Sequence, residues 1–514
     1  MWLPAQVNRR PASVSGSLLV AGTTSDAGKS VLTAAICRWL HRQGISVAPF
    51  KAQNMSNNSA VTADGAEIGR AQVAQAAACG IEPEAAMNPV LLKPGSDRRS
   101  HVVLMGRPYG EASAMGYRDL RDALRQKAFE AYDDLRSRFD VVVCEGAGSP
   151  AEINLRDGDF VNMGLARARR IPTIVVGDID RGGIFAAMYG TLALLAAADQ
   201  DLLSGFVVNK FRGDPALLQP GLDMFTTLTG RPMLGVLPWA TGLALDLEDS
   251  LSLDNLAAPG ARAPDEDRLR VVVVRLPRIS NSTDVEALGL EPGVDLRWTT
   301  SPRDLDGADL VVLPGSRATV DDLDWLRRNG IASAVIRRAA AGGAVLGICG
   351  GYQMLARTIT DTVESGAGAV AGLGLLPVDV VFGAEKITGR RTGTAYGEKV
   401  TTAYEIHHGI ASVDAGAEAF LDGCRSGAVQ GTTWHGAWES DGFRRAFLAD
   451  VADRAGRELP AAEPISFAAS RAAQLDALAD LVAEHLDTAA LLDLIEHGAP
   501  ADLPFIPPGA PGAA

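Results

Sequence analysis

The sequence predicts an α/β protein made of two domains, each built on a parallel sheet, and three observations carry that prediction. Aromatic residues make up only 5% of the chain while Ala, Val, Leu and Gly abound, a composition that suits helices packed on parallel sheets rather than an all-β protein. Short apolar runs alternate with stretches of helical spacing, which implies a sheet covered on both faces. At 514 residues the chain exceeds what one hydrophobic core organises. The alternation is broken by DNLAAPGARAPDED, rich in Ala, Pro, Gly and acid, which reads as a linker at 254–268. The domains are therefore set at 1–253 and 269–498, followed by a tail at 499–514.

The first domain opens with SLLVAG from Ser17, a glycine-bearing loop, and VLTAAICRWLHRQ with helical spacing. Further strands are expected at Val47 to Phe50, Val141 to Cys144, Thr173 to Gly177 and Phe206 to Val208, with a helix over Glu67 to Cys79. After the linker, RLRVVVVRLP and ADLVVLPG read as buried strands, Val320 to Ala341 as a helix, and GGAVLGIC as a strand running into Cys349. The end of the chain, PADLPFIPPGAPGAA, has too little apolar content for a core and is expected to be disordered.

A formal net charge of −14 disfavours attraction to nucleic acid or to an anionic membrane surface. The five cysteines, Cys37, Cys79, Cys144, Cys349 and Cys424, never form a CxxC pair, so neither a disulfide framework nor a zinc site is indicated and a reducing cytoplasm is expected. There is no charged-then-apolar leader and no apolar run near the ~20 residues that span a bilayer. The sequence is compatible with a homo-oligomer and does not fix the oligomeric state.

GTTSDAGKS, Gly22 to Ser30, sits between a strand and a helix. Such a turn points backbone N–H groups at phosphate oxygens, helped by the helix dipole. Gly22, Thr23, Thr24, Asp26, Ala27 and Gly28 are the expected cradle for ATP, Lys29 reaches the β- and γ-phosphates, and Ser30 holds Mg²⁺. Thr23 stands where the usual motif has its first glycine, and that variant resembles the dethiobiotin synthetase branch of phosphate-loop enzymes.

Magnesium needs further oxygen ligands, and acids at strand ends are a natural source. Glu145 follows VVVC, and Glu67 opens EIGRAQ; in dethiobiotin synthetase-like proteins acids at matching places bind the metal. The same resemblance implies that Lys51, in FKAQN, contacts phosphate and substrate carboxylate. It also implies that Asn209, in NKFRGD, lies where the adenine sits, a carboxamide being able to pair with the base edge. Asp178 and Asp180 end a strand and are candidates for orienting metal or substrate, with helix capping as the alternative. Asn54, Asn57 and Asn58 with Ser56 are either an amide-binding cluster or an Asn-rich turn.

GICGG, at Gly347 to Gly351, is the thiol form of the nucleophile elbow, with flanking glycines clearing space around Cys349. The oxyanion hole is expected from backbone N–H groups at Gly350 and near Gly315 of LPGS. His435 in GTTWHG is the candidate base, with His407 and His408 of YEIHHG as rivals. An elbow cysteine followed by a late histidine matches class I glutamine amidotransferases, whose fold is flavodoxin-like. Those enzymes usually carry a glutamate two residues after the histidine, where this chain has Ala437; Glu439 is nearby at the wrong spacing, so the third member is a carboxylate from elsewhere or the site is a dyad.

With PFKAQNMSNN, EIGRAQ, MNPVLLKP, EGAGSPAEINL, GDIDRGGIFA, RLPRISNSTD, GICGGYQMLA and YEIHHG added, the chain from Gly16 to about Leu492 resembles the glutamine-hydrolysing CobQ/CbiP family of corrinoid biosynthesis. The resemblance implies ATP- and Mg²⁺-dependent amidation of the b, d, e and g carboxylates of adenosylcobyrinic acid a,c-diamide, with L-glutamine as nitrogen donor. Two rival readings remain. One is the related synthase that makes the a,c-diamide itself; the other is a partition-type ATPase switch carrying a glutaminase-like module without catalysis.

Overall fold

The computed structural model describes residues 14–96, 99–113, 117–240, 268–460 and 465–510, so the expected linker lies, save its last position, outside the described residues. Six strands of the first domain lie side by side and parallel, in the order Met233–Pro238, Leu203–Phe211, Thr173–Asp178, Gly16–Gly22, Val141–Glu145, Val47–Phe50. Residues alternate between two cores: Leu19, Ala48, Val142 and Val175 on one side, Leu18, Val20, Val141 and Ile174 on the other. Burial on both faces is what the near-continuous apolar runs predict. Because the step from Val141–Glu145 to Thr173–Asp178 crosses over the first strand, the crevice at the carboxyl ends of the strands opens beside Gly22.

The second domain has a seven-stranded sheet ordered Val294–Thr299, Leu269–Val274, Leu310–Leu313, Ala344–Ile348, Val429–Thr432, Gly423–Ser426, Glu418–Phe420. The first five strands run parallel, and the last two are added through antiparallel pairings, Gly423–Ser426 against Val429–Thr432 and Glu418–Phe420 against Gly423–Ser426. From this body rises a long hairpin, Val378–Ala395 with Glu398–Val413, closed by Tyr396 and Gly397, both at positive φ as a tight two-residue turn requires. It crosses to the first domain, where the Thr388 hydroxyl donates to the Gly65 carbonyl at 3.0 Å and Arg390 pairs with Glu82 at 2.7 Å. No helix among the described residues is long and apolar enough to cross a membrane.

Four sequence expectations change. The expected helix over Glu67 to Cys79 begins only at Arg70, because Glu67–Gly69 pairs as a strand with Ser59–Val61. The expected helix Val320 to Ala341 is two helices, Thr319–Arg328 and Ile331–Ala340, broken at Gly330, whose φ of 75° interrupts the helical path. Helices Phe467–His485 and Thr488–His497 return to the first domain. Leu475, Leu478 and Val482 join its core beside Leu32 and Leu40, each burial contributing about 1.5–3 kcal/mol, and Arg38 pairs with Asp476 at 2.8 Å.

The described part of the expected disordered tail is also packed on the first domain. Gln200 donates to the Ile506 carbonyl at 2.9 Å and accepts from its N–H at 2.8 Å, while Arg231 donates to the Pro504 carbonyl at 2.9 Å. A segment without its own core is thus ordered by backbone hydrogen bonds to buried side chains.

Candidate active site

The phosphate loop is set by its own backbone. Gly28 has φ 101°, a region open to glycine, and an added Cβ would stand 2.0 Å from the Asn209 carboxamide nitrogen. The helix Lys29–Arg42 that follows has no side-chain cap, which leaves first-turn N–H groups for a ligand. Lys29 curls over the loop to the Thr24 carbonyl at 2.8 Å, and Thr23 donates its N–H to Val176. Asn209 donates to the Ala27 carbonyl at 3.0 Å, so its carboxamide braces the loop. Asp178 lies at the rim, accepting from Lys210 at 3.0 Å and from the N–H of Asp180, and Lys210 also reaches the Asp26 carbonyl.

Glu145, fully buried, is the hub of this site. It accepts from the Ser30 hydroxyl at 2.6 Å, from Lys51 at 2.7 Å and from Gln75 at 2.5 Å. No group of three His, Cys, Asp or Glu side chains able to hold a metal occurs among the described residues. The paired oxygens of Ser30 and Glu145 nonetheless fit Mg²⁺, which binds through few protein ligands and keeps water and phosphate oxygens for the rest.

Glu67, expected as a second acid there, is placed differently. Its carboxylate accepts from Ser59 at 2.8 Å and is held by Lys93 and by Lys386 of the hairpin at 2.6 Å. Burial alone would raise its pKa, but Lys386 and Lys93 hold it well below the usual carboxylate range. Two ammonium groups already satisfy this charge, so Glu67 serves the domain junction rather than an open metal site. Lys93 is pushed down to about 8 by burial against the pull of Glu67.

In the second domain the strand Ala344–Ile348 delivers Cys349 at φ 48° and ψ −108°, ahead of the short helix Gly350–Leu355. A Cβ on Gly351 would fall 1.9 Å from the Leu313 carbonyl oxygen, and one on Gly350 would fall 2.8 Å from the Ser316 nitrogen. The LPGS turn is therefore pressed against the elbow, with the Ser316 N–H nearest to Gly350. Gly315 lies against the ring of His435, at 3.1 Å from a built Cβ to the histidine carbon.

His435 is buried and its Nδ1 meets Asp284 at 2.6 Å, while the second oxygen of Asp284 accepts from the Gly436 N–H at 2.8 Å. Burial pulls this imidazole down, but Asp284 and then Cys349 push it up to about 10. The acid missing beside the histidine is thus supplied from 151 residues upstream in sequence. Glu439 instead forms an ion pair with Arg70 of the first domain. His407 and His408 line the same cavity as Cys349, but their Nδ1 atoms meet backbone carbonyls, of Gly409 at 2.9 Å and Gly383 at 3.1 Å, rather than a carboxylate.

One cavity of about 220 Å³ holds Cys349 and His435, and its far wall is formed by Asn57, Ser59, Lys93 and His101 of the first domain. The asparagine cluster therefore faces inward. Asn54 is buried against Gln72 at 3.0 Å, Asn57 lines the cavity, and Asn58 accepts from the Asn281 N–H at 2.8 Å across the junction. Asn54 is accordingly not an open substrate contact. Tyr404 completes the junction: it stacks on His435 with ring centroids 5.5 Å apart and donates to the Ser59 carbonyl at 3.2 Å. Asp284, Tyr404 and Gln75 escaped the sequence reading, although Asp284 lies in the quoted motif RLPRISNSTD.

Comparison with known proteins finds two family matches along the chain. Residues 18–253 match the CobQ/CobB/MinD/ParA nucleotide binding domain and residues 270–443 match the CobB/CobQ-like glutamine amidotransferase domain. The chain is 61% identical to the cobyric acid synthase of Streptomyces avermitilis and 59% identical to that of Frankia casuarinae, each match covering 97% of this chain and 100% of the relative. A glutamine amidotransferase crystal structure aligns at TM-score 0.29 and 18% identity over 36% of this chain and 98% of its own. The chain belongs to the cobyric acid synthase family.

Proposed function

We propose that the protein amidates the b, d, e and g carboxylates of adenosylcobyrinic acid a,c-diamide, using ATP and glutamine, to give adenosylcobyric acid. The observation that carries this reading is the shared cavity: the thiol that would release ammonia opens toward the domain that would activate the acid. A partition-type switch would have no use for such a junction.

In the second domain, His435, oriented by Asp284, takes the proton of Cys349, whose sulfur attacks the glutamine side-chain amide. Backbone N–H groups at Gly350 and at the Gly315–Ser316 turn receive the developing oxyanion. His435 then returns the proton to the departing ammonia, and water cleaves the thioester to glutamate. In the first domain a carboxylate is a poor electrophile until its oxygen becomes a leaving group, so the γ-phosphoryl group is transferred to it and ammonia displaces phosphate. Lys29 and Lys51 neutralise charge on the transferring group and the acid. Ser30 and Glu145 would hold Mg²⁺, which when bound supplies further neutralisation of phosphoryl charge. Asn209 remains the candidate beside the base, and Asp178 and Asn57 the candidates for orienting substrate.

The test supplies ATP, Mg²⁺, glutamine and the a,c-diamide and follows product mass. Four steps of about one dalton each support the reading, and a product stopping short of four refutes it. Cys349→Ala should end glutamine use and spare ammonium-driven amidation.

A further inference from the structure

The wall of the cavity that holds Cys349 also carries a charged pair that none of the chemistry above uses. Arg317, next to the Ser316 nitrogen of the oxyanion turn, forms an ion pair with Glu364, and both side chains line the cavity at 13% and 17% exposure. Each is the other's sole ion-pair partner among the described residues, whereas Lys93 and Lys386 on the same wall are committed to Glu67.

Both members are held from behind. The N–H of Arg317 donates to the Arg278 carbonyl at 2.9 Å. Glu364 sits on a turn whose N–H groups at Val363, Glu364 and Ser365 all donate to the buried carboxylate of Asp361, at 2.8–3.0 Å. A largely buried pair is weak evidence for stability, because desolvation offsets much of its Coulombic gain, and fixing two charged groups beside a reactive thiol has a use if a ligand brings complementary charges.

Resting on the glutaminase reading, we infer that Arg317 and Glu364 form the glutamine α-carbon subsite, Arg317 taking the α-carboxylate and Glu364 the α-ammonium. The cavity holds a thiol and, on its wall, a cation beside an anion, a set that matches glutamine, which carries a reactive amide and a zwitterionic α-carbon. The two residues are binding and positioning groups, and the substrate's charges replace their mutual contact without net change in buried charge.

The experiment compares glutamine with two analogues in the full-length protein: glutaramate, which lacks the α-ammonium, and glutaminamide, whose α-carboxylate is an amide. Release of glutamate, or of the matching acid, is followed, with ammonium-driven amidation as a control for folding. The wild type should prefer glutamine over either analogue by about tenfold or more in kcat/KM. Glu364→Gln should erase the preference over glutaramate but keep that over glutaminamide, and Arg317→Gln should do the reverse. If either variant lowers glutamine and analogue in parallel, or changes neither, the subsite is wrong. If the wild type releases no glutamate at all, the glutaminase reading fails, and this inference with it.

Discussion

Replacing Asp284 by Asn tests the geometry of the second site most sharply. The carboxylate makes two contacts, to His435 Nδ1 at 2.6 Å and to the Gly436 N–H at 2.8 Å. In Asp284→Asn the one remaining oxygen stays with Gly436, so an amide NH₂ faces Nδ1 and forces the imidazole proton onto the nitrogen that should receive the thiol proton. The same tautomer argument in serine triads corresponds to about 10⁴-fold in kcat, and a loss of about 10³–10⁴-fold in glutamine-driven amidation is expected here. Ammonium-driven amidation should stay within about threefold of wild type.

The substitution also has a pH signature. His435 sits at about 10 in the folded protein against an ordinary value of about 6.5. Its pairing therefore contributes stability that is whole below about pH 6.5 and lost as pH rises through 10. Wild-type stability should fall across that window more steeply than that of Asp284→Asn, with the pair worth about 3–5 kcal/mol at its low-pH end. A variant that keeps glutamine-driven activity within about threefold, or loses both activities equally, refutes the triad.

Three further outcomes are expected. Lys29→Ala should cut both glutamine- and ammonium-driven amidation by about 10³-fold while glutamate release survives; loss of the ammonium-driven reaction alone would contradict the assignment. Gly351→Ala places a Cβ 1.9 Å from the Leu313 carbonyl oxygen and should cost about 1–3 kcal/mol by urea midpoint, with slower alkylation of Cys349; an unchanged midpoint would show that the elbow yields. Asp322, beneath the LPGS turn, is pushed up to about 6 by burial although the Ser316 hydroxyl donates to it at 2.6 Å. The folded state then binds more protons between about pH 3.8 and 6, so stability is lost as pH rises through that range, and Asp322→Asn should gain up to about 3 kcal/mol at pH 8 and almost nothing at pH 4. Destabilisation at pH 8 would overturn this.

Where chemistry depends on neighbours in sequence, the residues were readable. The phosphate loop needs a strand, a glycine turn and a helix in succession, and the elbow needs glycines on either side of one cysteine, so both motifs stand out in a single stretch. Where chemistry depends on folding, they were not. Asp284 meets His435 only because a 3-10 turn after the strand Leu269–Val274 is carried beside the sheet position of Val429–Thr432. EIGRAQ reads as a helix opening, but strand pairing with Ser59–Val61 overrides the local preference and turns Glu67 toward the hairpin lysines. The last two helices display their period plainly, yet nothing in that period says which sheet they will cover.

That return of the C-terminus sets a timetable for synthesis. The strands of the nucleotide-binding sheet are all translated by Pro238, but the face carrying Leu32 and Leu40 stays bare until Leu475, Leu478 and Ile495 arrive. With roughly 260 residues still to be made at about 5–20 residues per second, the nascent sheet waits about 13–50 s. During that interval its apolar face waits for its cover, and a chain that ends between Phe467 and Leu475 has the residues of the glutaminase core but not those that close the ATP half.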